Sequence, residues 1–284
     1  MVDARPKAAA AGWRGDGPDR YLAVDGARLR YREDGAGPAV LLVHGWTLDL
    51  DMWAPQVAAL QTAFRVVRLD RRGFGRSTGQ PSIERDAEDL VALLGHLALE
   101  RVALVGMSQG VRPVVAAAQS LGQRVSCLVL DGPPDVSQPA ASRVSDGPFA
   151  RYAMLAQTEG LEAFRREWRA HPLMQLRTGD DGARALLASM IDRYQGRDLL
   201  APARPASGPP LSERPDLPAT AALVVCGAYD LPARIVAARE LAKRLPRGEF
   251  ALVDDAGHLP NLDSPDAYNR VVRAFLSKHT ESRT

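Results

Sequence analysis

The chain has 284 residues, 46% hydrophobic and 25% charged, which suits a globular protein with a sizeable core, built as one large domain or as a core carrying an insertion. Its 36 basic and 34 acidic residues leave a net charge of +2 with no long basic run, so no nucleic-acid partner is expected. No apolar stretch is long enough to span a bilayer, and residues 1–20 lack the hydrophobic core of a signal peptide, so a cytoplasmic protein without a membrane association is expected, with residues 1–20 as a flexible tail.

In chain order, Tyr21–Val24 and Leu29–Arg32 read as two strands joined by the hairpin signal Asp25-Gly26. Strands and helical patterns then alternate. Val40–Val43 is a strand, Met52–Leu60 a short helix and Phe64–Leu69 the next strand. Ile83, Ala87, Leu90, Leu94 and Leu97 recur at helical spacing. Val102–Val105 is an apolar strand, and Val111–Leu121 is an Ala- and Val-rich helix in which Pro113 removes one early hydrogen bond. Val125–Leu130 is another strand. Two proline-rich stretches, Gly132–Pro148 and Pro202–Pro218, then bracket a region of helical pattern, with Leu161, Phe164, Trp168 and Leu173 marking one helix and its end, and Ala185, Leu186, Met190 and Tyr194 another. Stiff connectors of this kind suggest a helical insert. Alternation resumes with strand Ala222–Cys226, helix Ala233–Leu245 and strand Phe250–Val253. A last helix opens at Ser264-Pro265 and carries Tyr268, Val271, Val272, Phe275 and Leu276 as its apolar stripe. This alternation predicts an α/β architecture with a mostly parallel sheet covered on both faces. The chain then divides into a tail (1–20), a first core part (21–136), a helical cap (137–215) and a second core part (216–284).

Cys127 falls near the start of one predicted strand and Cys226 at the end of another. On parallel neighbours they would lie at opposite ends of the sheet, out of reach of a disulfide, so both are expected as reduced core thiols. No Cys/His cluster has zinc-site spacing, and no metal is expected.

Ligands of such sheets bind beyond the carboxyl ends of the strands. There the sequence places His44-Gly45-Trp46, then Asp70 followed by Arg71-Arg72-Gly73-Phe74-Gly75-Arg76-Ser77, then Gly106-Met107-Ser108-Gln109-Gly110, Gly227-Ala228-Tyr229-Asp230 and Gly257-His258. Gly-x-Ser-x-Gly between a strand and a helix is the setting of a nucleophile elbow, in which a sharp turn exposes the serine hydroxyl. A serine needs a base to take its proton, and an imidazole titrating near neutrality suits that task.

With these motifs in this order, the chain resembles the α/β-hydrolase superfamily from about Tyr21 to Leu276, within it the serine esterases, enol-lactonases and non-haem perhydrolases. The resemblance implies an α/β-hydrolase fold with a small helical cap after the sixth strand. It also implies a Ser108–His258–Asp230 triad, with the backbone N–H groups of Trp46 and Gln109 as oxyanion donors. Asp131, at the end of strand Val125–Leu130, stays open as an alternative acid, although chain order and the Gly-x-x-Asp spacing favour Asp230. His44 is expected to hold the loop of the oxyanion donor, and Asp70, Arg71 and Arg72 to fix the loop after their strand. Met107, Trp168, Leu173 and Met190 are candidates for the substrate pocket.

The expected activity is hydrolysis of a small carboxylic ester or lactone through an acyl-enzyme, with no cofactor and a small molecule as partner; oligomeric state is open. Serine at the elbow argues against relatives that use aspartate there. Four alternatives share the scaffold: a carbon–carbon bond hydrolase, a lyase of the menaquinone-pathway type (distantly suggested by Trp168, His171 and Pro172), a cofactor-independent oxygenase and a non-catalytic ligand receptor. The cap has 11 arginines against nine acids, a near balance that fits a solvated surface; an inward-facing arginine binding a substrate carboxylate is the sharper reading.

Overall fold

The computed structural model describes residues 17–134, 149–201 and 219–280. Most of the expected tail, all but residues 132–134 of the first proline-rich connector and the whole of the second lie outside these residues. Residues 17–20 are held to the core: the Gly17 N–H donates to Asp34, Asp19 pairs with Arg30 and Arg32, and Arg20 already belongs to the first strand.

Eight strands form one sheet in the order β1-β2-β4-β3-β5-β6-β7-β8. They are β1 Arg20–Val24, β2 Ala27–Asp34, β3 Ala39–Val43, β4 Arg65–Leu69, β5 Val102–Met107, β6 Val125–Asp131, β7 Ala221–Gly227 and β8 Gly248–Val253. The β1–β2 and β2–β4 pairs are antiparallel and every other pair is parallel. The helices are α1 Ala54–Leu60, α2 Ile83–His96, α3 Val111–Leu121, α4 Phe149–Thr158, α5 Leu161–Ala170, α6 Asp181–Arg193, α7 Arg197–Leu200, α8 Pro232–Arg244, α9 Pro260–Asp263 and α10 Pro265–Thr280.

Side chains of a strand alternate between faces, and that alternation divides the core in two. Val40 and Leu42 of β3, with Leu223 and Val225 of β7, meet α1 and α10 on one face. Leu41 and Val43, with Ala222 and Val224, meet α2, α3 and α8 on the other. Strands buried on both faces read as continuous apolar runs, which is why these were visible in the sequence. The thiols of Cys127 and Cys226 are free and buried, on opposite faces.

Several elements differ from expectation. The helix expected over Met52–Leu60 is a 3-10 turn, Leu50–Trp53, followed by α1, because Pro55 fits only the first turn of a helix. The insert between β6 and β7 holds α4 and α7 besides the two expected helices, and Leu173 lies in a 3-10 turn, Pro172–Met174, after α5. The short α9 precedes α10.

The insert continues the core. Tyr152, Phe164, Trp168, Met190 and Leu199 share one apolar cluster with the α1/α10 face of the sheet. Polar ties reinforce the packing. Arg193 of α6 donates to the buried Asp49 at 2.7 Å and to Asp51 at 3.0 Å, and Arg197 of α7 donates to the Ser77 carbonyl. Among the described residues no helix is long and apolar enough to cross a membrane.

Removing the Arg193 guanidinium would leave Asp49 buried without its cation. Arg193→Met is expected to cost about 2 kcal/mol in chemical denaturation, and adding Asp49→Asn should recover part of that loss, because the remaining amide carries no charge.

Candidate active site

The site lies at the carboxyl ends of β3, β5 and β7 and in the loop after β8. At the elbow, β5 runs through Met107, Ser108 opens a 3-10 turn, and α3 follows at Val111. Ser108 itself adopts a left-handed φ of 49°, a conformation that costs an L-residue energy and is retained where the surroundings impose it. The two motif glycines have a different task from the sharp turn suggested by the sequence. Neither has a positive φ; both are sites of close approach. A Cβ on Gly106 would lie 2.6 Å from the Gly110 carbonyl oxygen, and one on Gly110 would lie 2.5 Å from that of His44.

Ser108 Oγ lies 3.1 Å from His258 Nε2, and His258 Nδ1 lies 2.8 Å from Asp230 Oδ2. Ser108 is half-buried, whereas His258 and Asp230 are buried. The other Asp230 oxygen accepts the Leu231 N–H at 2.7 Å, and the Cys226 thiol lies 3.6 Å from Oδ2. Burial pushes the Asp230 carboxyl up, but the neighbouring His258, with help from Arg234, outweighs it and holds the group below its ordinary value. Burial lowers the His258 pKa below 6.5, against the pull of Asp230 and with the Arg234 charge acting in the same sense as burial. The imidazole is therefore neutral at pH 7, with a proton on the nitrogen facing Asp230 and a lone pair toward Ser108.

Asp131 is the last residue of β6 and shares the parity of Cys127 and Val129, so its side chain lies on the α10 face, near Tyr268. Its polar neighbour on that face is the Tyr268 hydroxyl. Burial, with the Asp230 charge, pushes this carboxyl well above the ordinary range, against the opposing pull of the Tyr268 hydroxyl.

The loop after β3 lies against the elbow. A Cβ on Gly45 would meet Met107 Sδ at 2.7 Å and Ser108 Cβ at 3.4 Å. This places the Gly45–Trp46 peptide beside the serine. Gln109 is in the first turn after the elbow, where backbone N–H groups have no acceptor within the helix. The Trp46 indole donates to Asp198 of α7 at 2.7 Å and packs against Phe149, Tyr152, Phe164, Trp168 and Tyr194. Trp168 is buried, donates to Thr47 Oγ1 at 2.7 Å and stacks on His171 with centroids 4.8 Å apart. Met107, Leu173 and Met190 are buried in the same apolar cluster. Thr47, His171, Asp198 and Arg234 are polar residues near the site that sequence reasoning did not assign to it. The His171-Pro172 pair was a signal, whereas Arg234 carries none, being one of many arginines on a surface helix. Among the described residues no group of three or more His, Cys, Asp or Glu side chains is arranged to hold a metal ion.

Residues 38–265 match the model of the alpha/beta hydrolase fold family. The chain belongs to that family. It is similar to an enol-lactonase from Burkholderia xenovorans LB400, with 30% identity and a TM-score of 0.74 over 91% of this chain and 100% of that one. A thermophilic esterase from Thermogutta terrifontis superposes with a TM-score of 0.77 at 26% identity, over 93% of this chain and all of the esterase. A Bacillus subtilis (strain 168) protein provisionally named 2-succinyl-6-hydroxy-2,4-cyclohexadiene-1-carboxylate synthase is 26% identical over 265 residues, 89% of this chain and 96% of that protein.

The left-handed backbone at position 108 gives a stability test independent of activity. Ser108→Gly should be more stable than Ser108→Ala by about 1 kcal/mol, since glycine alone escapes the Cβ penalty there. Equal melting of the two variants would contradict the strained geometry.

Proposed function

We propose that this α/β-hydrolase cleaves small carboxylic esters or lactones through an acyl-enzyme on Ser108. The observation that carries the reading is the unbroken relay from Ser108 Oγ through His258 to the buried Asp230 carboxylate, with spacings of 3.1 and 2.8 Å. In this mechanism Ser108 Oγ adds to the carbonyl carbon while His258 Nε2 takes its proton, and Asp230 orients the ring and stabilises the imidazolium. The oxyanion receives hydrogen bonds from the Trp46 and Gln109 N–H groups. Collapse breaks the bond to the leaving oxygen, which takes the proton from His258. Water then repeats the sequence on the acyl-enzyme, His258 accepting its proton, and releases the acid. In a lactone the leaving oxygen stays tethered to the acyl group, and a hydroxy acid is released.

Asp230 serves as the acid in this scheme. The His258 ring nitrogen that an acid must hold is bonded to Asp230, and Asp131 has no such contact. Trp168, Leu173, Met190 and Met107 are assigned to the apolar wall beside the acyl group, since their cluster joins the cap to the elbow.

A chromogenic short-chain ester tests the reading. The wild type should give a burst of leaving group, and Ser108→Ala should lose about 10⁴-fold or more of kcat with its circular dichroism unchanged. A folded Ser108→Ala protein that keeps most of its activity would falsify the assignment.

The pH profile follows from the base. His258 must be unprotonated, and its pKa lies below 6.5. The acid limb of kcat/KM should therefore have its midpoint below pH 6.5, with a plateau through neutrality. Asp230→Asn should lower the plateau sharply, because the amide cannot hold the required tautomer or stabilise the imidazolium.

A further inference from the structure

Arg71 and Arg72 are adjacent, both buried, and both paired with an aspartate of α2, yet they reach different parts of the molecule. Arg72 binds Asp89 and the Asp25 carbonyl, away from the serine. Arg71 turns the other way. Its Nη1 donates to Asp86 at 2.9 Å, while its Nη2 donates to the Gly45 carbonyl at 3.3 Å and to Gln109 Oε1 at 2.6 Å. One nitrogen thus joins the loop after β3 to the turn after Ser108.

We propose that Arg71 is a positioning residue for the oxyanion site, aligning the Trp46 and Gln109 N–H groups by holding the Gly45 carbonyl and the Gln109 side chain with one guanidinium. This proposal rests on the acyl-transfer reading above. The peptide between Gly45 and Trp46 is planar and trans, so its C=O and N–H point in opposite directions. Fixing the Gly45 oxygen therefore fixes the line of the Trp46 N–H. Two donors fix that oxygen, Arg71 Nη2 and His44 Nδ1, the latter at 2.7 Å. His44 is set up for this by Arg71 as well: His44 Nε2 accepts the Arg71 backbone N–H at 2.9 Å, which leaves the ring proton on Nδ1. Gln109 is held through its side chain, and its N–H belongs to the same residue.

The role is one of orientation rather than charge. The guanidinium charge is already engaged by the Asp86 carboxylate at 2.9 Å. Arg71 is 1% exposed and lies over the Phe74 ring at 4.5 Å, which removes the freedom a long side chain normally has. A lysine cannot replace it, since a single ammonium lacks the planar fork needed for acceptors on separate segments.

The test compares Arg71→Lys with Arg72→Lys, a matched change in a buried Arg–Asp pair without a link to the oxyanion donors. Two probes are used: a p-nitrophenyl ester, and an arylboronic acid whose boron takes the Ser108 oxygen while His258 takes its proton, giving a tetrahedral anion. Arg71→Lys should lower kcat and weaken boronate inhibition, each about tenfold to a hundredfold, with KM within about twofold. Arg72→Lys should keep both parameters near wild type even if it melts lower. Equal effects of the two changes on kcat and inhibition, or a rise in KM alone for Arg71→Lys, would overturn the proposal. If Arg71→Lys does not fold, Gln109→Met carries the test: a fall in kcat and in boronate affinity of about threefold or more supports the brace, and wild-type values overturn it. Labelling by a fluorophosphonate separates the two levels. No labelling of wild-type Ser108 overturns the hydrolase reading and this proposal together. Wild-type labelling with Arg71→Lys labelled as fast as Arg72→Lys overturns the role of Arg71 alone.

Discussion

The Gly110 Cα sits so close to the ends of β3 that a side-chain carbon there would lie 2.7 Å from the Val43 carbonyl oxygen and 2.5 Å from that of His44. This backbone contact brings the first turn of α3 against the loop that follows β3, and the site depends on it. Gly106 meets the Gly110 carbonyl from below, and Gly45 meets Met107 and Ser108 from the side. Three glycines thus let three backbone segments share a space too small for any Cβ. Ser108 is driven to a left-handed φ within that space, and the strain is held by the strand before it and the helix after it, both fully buried over most of their length.

Around this contact the molecule uses arginine as a brace. Arg30, Arg68, Arg71 and Arg72 are all buried, and each is paired with an aspartate: Asp70, Asp34, Asp86 and Asp89 respectively. Buried pairs add little net stability over apolar residues of the same shape, because desolvation opposes their attraction. Their value here is directional. Asp70 accepts the Leu50 and Arg76 N–H groups as well as the Arg30 guanidinium, and a Cβ on Gly75 would lie 2.3 Å from its carboxylate. The loop carrying Arg71 is therefore fixed from within before Arg71 reaches across to Gly45 and Gln109.

The cap is tied to the same loop. Trp46 has its peptide held from the core side by Arg71 and His44, and its indole held from the cap side by Asp198, which also accepts the Tyr194 hydroxyl. Trp168 reaches Thr47, the next residue, whose φ of 64° is itself left-handed. Hydrogen bonds and packed rings thus tie the insert to the loop after β3 at both residues.

The sequence by itself determined the alternation of elements, the sheet's mostly parallel character, and the positions of Ser108, His258 and Asp230 at strand ends. Apolar runs and strand-end motifs are local signals, set by burial on both faces and by turns that tolerate few residue types. Elements shorter than about two turns, such as α7 and α9, left no such signal, since their form is imposed by neighbours. Tertiary structure alone decided which of Asp230 and Asp131 contacts His258. Both sit at the ends of adjacent strands, but the last residue of β6 points to the α10 face by strand parity, whereas Asp230, three residues beyond Gly227, clears the sheet edge and meets His258. It also decided what separates Arg71 from Arg72. Two identical side chains next to each other in a loop point in different directions, and what each one touches depends on segments 15 or more residues away, which no local pattern can encode.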